Sequence, residues 1–167
     1  MVHAALQRGW GEAFSVIIPG GWYLTLVFIG NVEEARAAIF VDTMSQPVPM
    51  RPFTIGFARI GVFPPHGAPS VLWVGVNRGA DDAIAVQRIA AERLEALGVP
   101  RERRPYYPHL TLARWRGSRP SDRRRVADQS REEGIARVDV VAVTLYRSHL
   151  SSKGSTYEVL TKARLQT

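Results

Sequence analysis

A short strand-like phrase occurs twice in the sequence, as YLTL from Tyr23 and as HLTL from His109. In each copy, leucines alternate with a threonine and with a residue that can transfer a proton. This alternation is typical of a half-buried β-strand, because successive side chains point to opposite faces. A segment with helical character follows each copy. The repeat therefore constrains the chain to a fold built from two related units.

The segments between and after the two phrases also follow one order. In the first copy, Asn31 is predicted to cap a helix through EEARAAIF, and the strands FTIGFARIGVF and SVLWVGVNRG follow. Asp81 or Asp82 then begins a helix that ends at Leu97, before Gly98 and a proline.

In the second copy, a polar helix is predicted from Ser121 to Glu133. Two long strands, RVDVVAVTLYRSHL and STYEVLTKARL, are predicted to form a hairpin around the turn SSKG. We therefore predict an α+β fold in a single domain spanning 1–167. It should have two pseudo-symmetric lobes, each a mostly antiparallel sheet with helices outside, facing a central groove.

The composition excludes several classes of protein. A chain of 167 residues has the length of one domain and buries about two thirds of its unfolded surface. No stretch approaches the ~18 apolar residues of a membrane span, and the first residues lack the apolar part of a secretory signal, so we expect a cytoplasmic protein. Without cysteine there is no disulfide or thiolate chemistry. The histidine spacing is unlike that of metal ligands, and no nucleotide-binding glycine motif is present, so we expect no metal and no cofactor.

Basic charge is concentrated in one segment. The net charge is +7, and 20 of the 22 basic residues are arginine. Between Arg101 and Arg125, nine arginines stand against two acidic residues, so this segment alone carries +7. Guanidinium groups suit phosphate, and a basic surface suits nucleic acid. The alternative from charge alone is an ordinary solvated face.

The repeated phrase can also carry chemistry. Alternation places His109 with Thr111, and Tyr23 with Thr25, on the face opposite the leucines. If a pseudo-twofold axis relates the lobes, these polar faces meet in a cleft. Both threonine hydroxyls could then donate to one phosphate, with an acid and a base on opposite sides of phosphorus, as an in-line displacement requires. The alternative is that each phrase is only a half-buried strand.

These residues resemble the 2H phosphoesterase superfamily, and within it the RNA 2',3'-cyclic phosphodiesterases, also called 2'-5' RNA ligases. The resemblance rests on YPHLTLAR, on WYLTLVFIG followed by a helix, on SVLWVGV and on LYRSHLSSKGSTYEVL, and it covers nearly all of Gly21 to Leu165. It implies a two-lobed α+β fold with two H-x-T-x motifs at a central groove. It also implies metal-independent opening of a terminal 2',3'-cyclic phosphate on RNA ends or nucleotides, and ATP-independent 2'-5' ligation.

The resemblance assigns roles to particular residues. It implies a catalytic histidine at His109, phosphate-binding hydroxyls at Thr25 and Thr111, and an arginine of the family at Arg114. Tyr23 stands where the family has its first histidine. A phenol ionises near pH 10 and an imidazole near pH 6.5, so tyrosine is a poor base. We expect Tyr23 to act as an acid or positioning group, or else the protein to be a catalytically impaired member that binds RNA ends or nucleotides.

Aromatic residues flank the second motif. Tyr107 and Trp115 share strand parity with His109, so one of them could stack on a base, as in proteins that bind single-stranded RNA. The alternative is that they belong to the core, as most aromatic residues on strands do. The remaining histidines, His3, His66 and His149, are interpreted as surface residues.

The start of the chain departs from the family pattern. The family usually has an apolar strand ahead of the first motif, and no such strand is evident before Phe14. We therefore expect the first sheet to lack a strand, so that its exposed edge pairs with another chain or the N-terminal lobe is loose.

Overall fold

A computed structural model of the chain describes residues 11–18, 22–115, 117–130, 133–151 and 154–167. The predicted α+β class is confirmed. The elements in chain order are β1 (Gly11–Ile18), β2 (Trp22–Asn31), α1 (Glu34–Ser45), β3 (Phe53–Phe63), β4 (Val71–Arg78), α2 (Ala80–Ala96), β5 (His109–Arg114), α3 (Asp122–Gln129), β6 (Ala136–Val140), β7 (Ala142–Ser151) and β8 (Gly154–Arg164).

The strands of the described ranges form two antiparallel sheets of four strands each. Their orders are β2-β1-β7-β8 and β5-β4-β3-β6. Each motif strand, β2 or β5, therefore lies at the edge of its sheet. Strand β5, the motif strand of the second copy, pairs with β4 of the first copy. Conversely, the β7–β8 hairpin of the second copy lies in the same sheet as β2, the motif strand of the first copy. The two copies thus exchange strands, and neither forms a lobe by itself.

The strand β1 corrects the expectation of a missing strand. Gly11–Ile18 pairs with β2 on one side and with β7 on the other, so it lies inside the first sheet. Register shifts after Glu12 and after Phe14 interrupt its pairing with β2. Such irregularities break the two-residue alternation by which a strand is recognised in a sequence. The strand expected to be missing is therefore present, and β1 occupies its place between β2 and β7.

Other boundaries also differ from the prediction. The segment RVDVVAVTLYRSHL is two strands, because the chain crosses from one sheet to the other at Val141. Val140 and Val143 are both buried, whereas Val141 is 58% exposed. The predicted N-cap Asn31 ends β2, and Glu33 precedes α1 instead. The polar helix α3 ends at Gln129, four residues earlier than predicted.

One apolar core joins the two lobes. It contains Leu24 and Leu26 from the first motif strand and Leu110 from the second, all at most 8% exposed, and Leu112 packs against it. Burial of a leucine side chain contributes about 1.5 to 3 kcal/mol relative to exposure. The leucines of the repeated phrase therefore have the structural role that their alternation predicted. In the described part of the chain, no helix is both long and apolar enough to span a bilayer.

Candidate active site

The two motif strands turn their leucines into the core and their polar side chains away from it. Tyr23 and Thr25 on β2, and His109 and Thr111 on β5, are all half-buried. The strands also lie against each other at the junction of the two sheets. There, the hydroxyl of Tyr106 donates a hydrogen bond of 3.0 Å to the carbonyl of Thr25. This hydrogen bond links the edge strand β2 to the segment before the edge strand β5, close to both motifs.

The environment of His109 fixes which nitrogen can react. Its Nδ1 lies 2.7 Å from the backbone carbonyl of Tyr107. A carbonyl only accepts, so Nδ1 carries the hydrogen, and in the neutral ring Nε2 has a free lone pair. Burial lowers the pKa of His109, and the positive charge of Arg114 lowers it further, although the bond to the Tyr107 carbonyl opposes both effects. A neutral His109 with this tautomer can accept a proton at Nε2.

Aromatic rings surround His109. The ring centroids of Phe63, Trp73 and Tyr107 lie 5.1, 6.4 and 6.4 Å from the imidazole. The indole of Trp73 lies over Gly61, where an added Cβ would come within 2.3 Å of it. Sequence reasoning missed the role of Trp73. The signal was the glycine inside a strand, which often marks a close approach of another group.

Tyr23 belongs to a separate aromatic cluster on the first lobe. Its ring lies 5.0 Å from that of Tyr146 and 4.7 Å from that of Tyr157, and those two rings are 5.0 Å apart. Tyr146 is buried, whereas Tyr157 is 45% exposed. Sequence reasoning missed both partners, because they come from the distant β7–β8 hairpin. The residue in the position of the first motif histidine is therefore held by ring packing.

The other histidines of the described ranges do not take the place of Tyr23. His149 on β7 is three residues from Tyr146, so its side chain points to the opposite face of the sheet from the tyrosine cluster. There its Nε2 lies 3.0 Å from Glu158 Oε2. His66 is exposed in the loop between β3 and β4. His3 lies outside the described residues.

The remaining predicted site residues lie near the end of β5. Arg114 is exposed, and its positive charge adds to the effect of burial in lowering the pKa of His109. A register shift in the β4–β5 pairing adds a residue between Thr111 and Ala113. The strand parity on which the stacking role of Trp115 depended is therefore lost before Trp115, and that role stays a prediction.

No group of three or more histidine, cysteine, aspartate or glutamate side chains suited to a metal ion occurs within the described ranges.

The fold places two motif strands, each with a threonine and a proton-transfer group, against each other at the junction of two antiparallel sheets, as expected for a two-lobed phosphoesterase. Comparisons with known proteins identify the family. Residues 23–151 match the family model of the 2'-5' RNA ligase superfamily. The chain belongs to that superfamily, which confirms the resemblance seen in its sequence.

Curated proteins similar to this chain are named RNA 2',3'-cyclic phosphodiesterase. The chain is 30% identical over 152 residues to an RNA 2',3'-cyclic phosphodiesterase of Aeropyrum pernix, covering 90% of this chain and 85% of the relative. It is 32% identical over 145 residues to the protein of that name from Archaeoglobus fulgidus, covering 85% and 78%.

Solved structures show the same fold. Protein TT0787 of Thermus thermophilus matches with a TM-score of 0.67 and 25% identity, covering 95% of this chain and 84% of that one. E. coli LigT complexed with 3'-AMP matches with a TM-score of 0.72 over 96% of this chain and 100% of that one. At 16% identity, this second likeness bears on the fold alone.

Proposed function

We propose that this protein is an RNA 2',3'-cyclic phosphodiesterase that opens a terminal cyclic phosphate to a phosphomonoester. The observation that carries the proposal is the hydrogen bond from His109 Nδ1 to the Tyr107 carbonyl, which leaves Nε2 as a proton acceptor in the second motif. Curated relatives at about 30% identity carry this name. The substrates are RNA ends or nucleotides with a 2',3'-cyclic phosphate.

The proposed mechanism is an in-line displacement at phosphorus. His109 Nε2 takes a proton from water, the water oxygen bonds to phosphorus, and one bond from phosphorus to a ribose oxygen breaks. Tyr23 gives its phenolic proton to that leaving oxygen. Thr25, Thr111 and Arg114 donate hydrogen bonds to the phosphate oxygens, where charge increases in the transition state.

The same groups support 2'-5' ligation. When the 5'-hydroxyl of a second RNA replaces water, His109 takes the proton of that hydroxyl, and the new bond joins the two RNAs. Opening of the cyclic ester supplies the leaving oxygen, so the reaction needs no ATP.

One observation favours a second candidate function. Tyr23, the residue at the first motif position, is packed between Tyr146 and Tyr157. A phenol at this position is a weaker proton-transfer partner than an imidazole near neutral pH. The second candidate is a catalytically impaired member of the superfamily that binds RNA ends or nucleotides through its threonines and arginines.

Four proteins distinguish the two functions: the wild type, His109→Ala, Tyr23→His and the control His149→Ala. Each is assayed on a 2',3'-cyclic nucleotide and on RNA with a cyclic phosphate end. For an enzyme, wild-type activity falls about 100- to 10,000-fold in His109→Ala. The control changes the same residue type on the opposite face of the first sheet and retains activity.

The other outcomes are equally informative. If only Tyr23→His opens the cyclic phosphate, the natural protein is a binder. If the wild type neither opens nor binds a cyclic phosphate, both candidate functions are wrong.

A further inference from the structure

The arginines of the basic segment, 101–125, fall into two groups in the structure. In the first group, Arg101 donates to Glu95 at 2.8 Å and Arg104 pairs with Glu102 at 3.2 Å, so carboxylates offset much of its charge. The second group lies within 114–125, where the sequence has six arginines and one aspartate. The excess positive charge of the segment is therefore concentrated after the second motif.

Helix α3 carries three of these arginines and lies outside the core, since none of its residues is buried. Polar contacts hold it in place. Arg123 Nη2 donates to the carbonyl of Gly67 at 2.7 Å, and Ser130 Oγ accepts a hydrogen bond of 3.1 Å from the backbone N–H of Ile60. These contacts fix the two ends of the helix to the β3–β4 loop and to β3. The role of Arg123 is therefore structural, unlike that of its neighbours.

Three arginines around the start of α3, Arg119, Arg124 and Arg125, are exposed. The side chain of Arg125 is 83% exposed, and its ion pair with Asp122 is 3.8 Å long. Asp122 also accepts a hydrogen bond of 2.8 Å from the backbone N–H of Arg119. An exposed ion pair of this length is weak, because solvent screens it. The positive charge of these side chains is therefore presented to solvent at one place.

A recess of about 340 Å³ lies at this place. Apart from one glycine, its lining is polar or charged and consists of Gly117, Ser118, Arg119, Ser121, Asp122 and Arg125. The Ser118 hydroxyl donates to the carbonyl of Pro69, which fixes this loop against the β3–β4 loop. Guanidinium and hydroxyl groups are the donors that bind the phosphates of a nucleic acid without reading its sequence.

Strand β5 connects this basic surface to the active site. His109 begins the strand and Arg114 ends it, about 17 Å away at the usual rise of a strand. At the other end of α3, Ser130 lines a recess together with Tyr107, whose ring lies beside His109. Phosphates of one stacked strand are about 3.4 Å apart along its axis, so about five nucleotides span the length of β5.

We propose that Arg119, Arg124 and Arg125 form a docking surface for the phosphate backbone of the RNA whose terminal cyclic phosphate lies at His109. The substrate is then an RNA chain of about five or more nucleotides and not a free cyclic nucleotide. The position of the terminal phosphate rests on the proposed function. An RNA strand fits this surface because it presents phosphates at regular intervals, beginning with the one at the active site.

The test measures the binding of two ligands by isothermal titration calorimetry. Decaadenylate with a terminal 2'-phosphate and adenosine 2'-monophosphate share their last nucleotide and differ in the attached chain. The triple variant Arg119→Gln, Arg124→Gln, Arg125→Gln should bind the RNA about tenfold more weakly and the mononucleotide within about twofold of the wild type. Each contacted phosphate of a single strand contributes about 0.7 to the slope of log K against log salt, so this slope should fall by about 2 for the RNA.

A second triple variant, Arg51→Gln, Arg78→Gln, Arg88→Gln, is the matched control. These arginines are also exposed, but they lie before β3, at the end of β4 and on α2, away from the β3–β4 loop. The control loses the same net charge, and charges act over only about 10 Å near physiological salt. It should therefore bind both ligands like the wild type.

Three outcomes would overturn the docking surface. Equal losses of RNA binding in the two triple variants would show that only the net charge matters. Equal losses for the RNA and the mononucleotide in the first variant would place its arginines at the terminal phosphate. If the first variant keeps its RNA binding but loses binding to phosphatidylserine vesicles, the surface recognises a membrane.

The same measurements separate the docking surface from the proposed function. Because both ligands are product-like, the surface can be established even if no cyclic phosphate is opened. Conversely, an enzyme that opens cyclic phosphates and binds the RNA no more tightly than the mononucleotide would leave the proposed function intact and exclude the docking surface.

Discussion

The hydroxyl of Tyr106 donates a hydrogen bond to the backbone carbonyl of Thr25 across the junction of the two sheets, at 3.0 Å. The two residues are 81 positions apart: Thr25 belongs to the first motif, and Tyr106 lies three residues before the second. Burial raises the pKa of Tyr106 far above its usual range, so the phenol stays protonated and remains a donor. This bond therefore fixes the first motif strand against the segment that leads into the second.

Tyr106→Phe should reduce both stability and turnover. It leaves the Thr25 carbonyl without this donor, which typically costs about 1 to 3 kcal/mol, and it loosens the spacing of the motif strands. Urea unfolding should show a lower midpoint with an unchanged slope, and kcat should fall. Tyr107→Phe removes a phenol hydroxyl from a half-exposed ring and should stay within about 0.5 kcal/mol of the wild type. Equal midpoints for the two variants would contradict the bridging role.

The pH dependence of the reaction should follow His109. The neutral ring is the base, so kcat/KM should rise with pH through the pKa of His109 and become level above it. Because burial and Arg114 together lower that pKa, the midpoint should lie below about 6.5. Arg114→Gln removes a positive charge and should move the midpoint to higher pH, whereas Arg114→Lys should leave it in place. An acid limb that is unmoved in Arg114→Gln would show that this charge does not act on the base.

Tyr23→Phe should distinguish the role of the Tyr23 hydroxyl as an acid from the role of its ring in packing. The ring can still pack against Tyr146 and Tyr157, but the acid is lost, so kcat should fall about 100-fold or more with little change in stability. Tyr157→Phe removes a hydroxyl from the same cluster and serves as the matched control, with unchanged kcat expected. If Tyr23→Phe keeps the wild-type kcat, Tyr23 is a positioning residue only.

Thr111→Val should weaken phosphate binding without disturbing β5. Valine has the shape of threonine and suits a strand. A hydrogen bond to a charged group contributes about 1.5 to 3 kcal/mol, so binding of inorganic phosphate should weaken about tenfold to 150-fold. Thr25→Val should act in the same way. Thr156→Val, at an exposed position of β8, is the control, and a similar loss there would exclude a specific role for the motif threonines.

Leu24→Ala should destabilise the whole domain. Leu24 is completely buried in the core shared by both lobes, and loss of such a side chain typically costs about 2 to 5 kcal/mol. Chemical unfolding should show one transition at lower urea. A change below about 0.5 kcal/mol, as expected for the exposed Phe28→Ala, would place Leu24 outside the core.

Much of this molecule could be predicted locally. The alternation in YLTL and HLTL predicted which side chains enter the core, and the turn residues around β3 and β4 and the Gly98 stop signal placed those strands and α2 within one or two residues. These features depend on neighbours within a few positions of the chain. The resemblance to the superfamily, carried by the same short motifs, is confirmed for the same reason.

The predictions that were wrong concern strands in which the local alternation of side chains is broken. β1 was missed because register shifts interrupt its pattern, and β6 and β7 were merged because Val141, where the chain changes sheets, is as apolar as its neighbours. For the same reason, the sequence could not show on which face of β5 Trp115 lies, because the extra residue in β5 is not recognisable from the sequence.

The sequence by itself determined the motif residues, the faces on which they lie and the family. Only the tertiary structure decided what surrounds them: the exchange of strands between the two copies, the tyrosines that hold Tyr23, the tautomer of His109 and the aromatic rings around it. These arrangements join residues from distant parts of the chain. They depend on packing between strands, where a glycine such as Gly61 is explained only by the ring that occupies the space of its missing side chain.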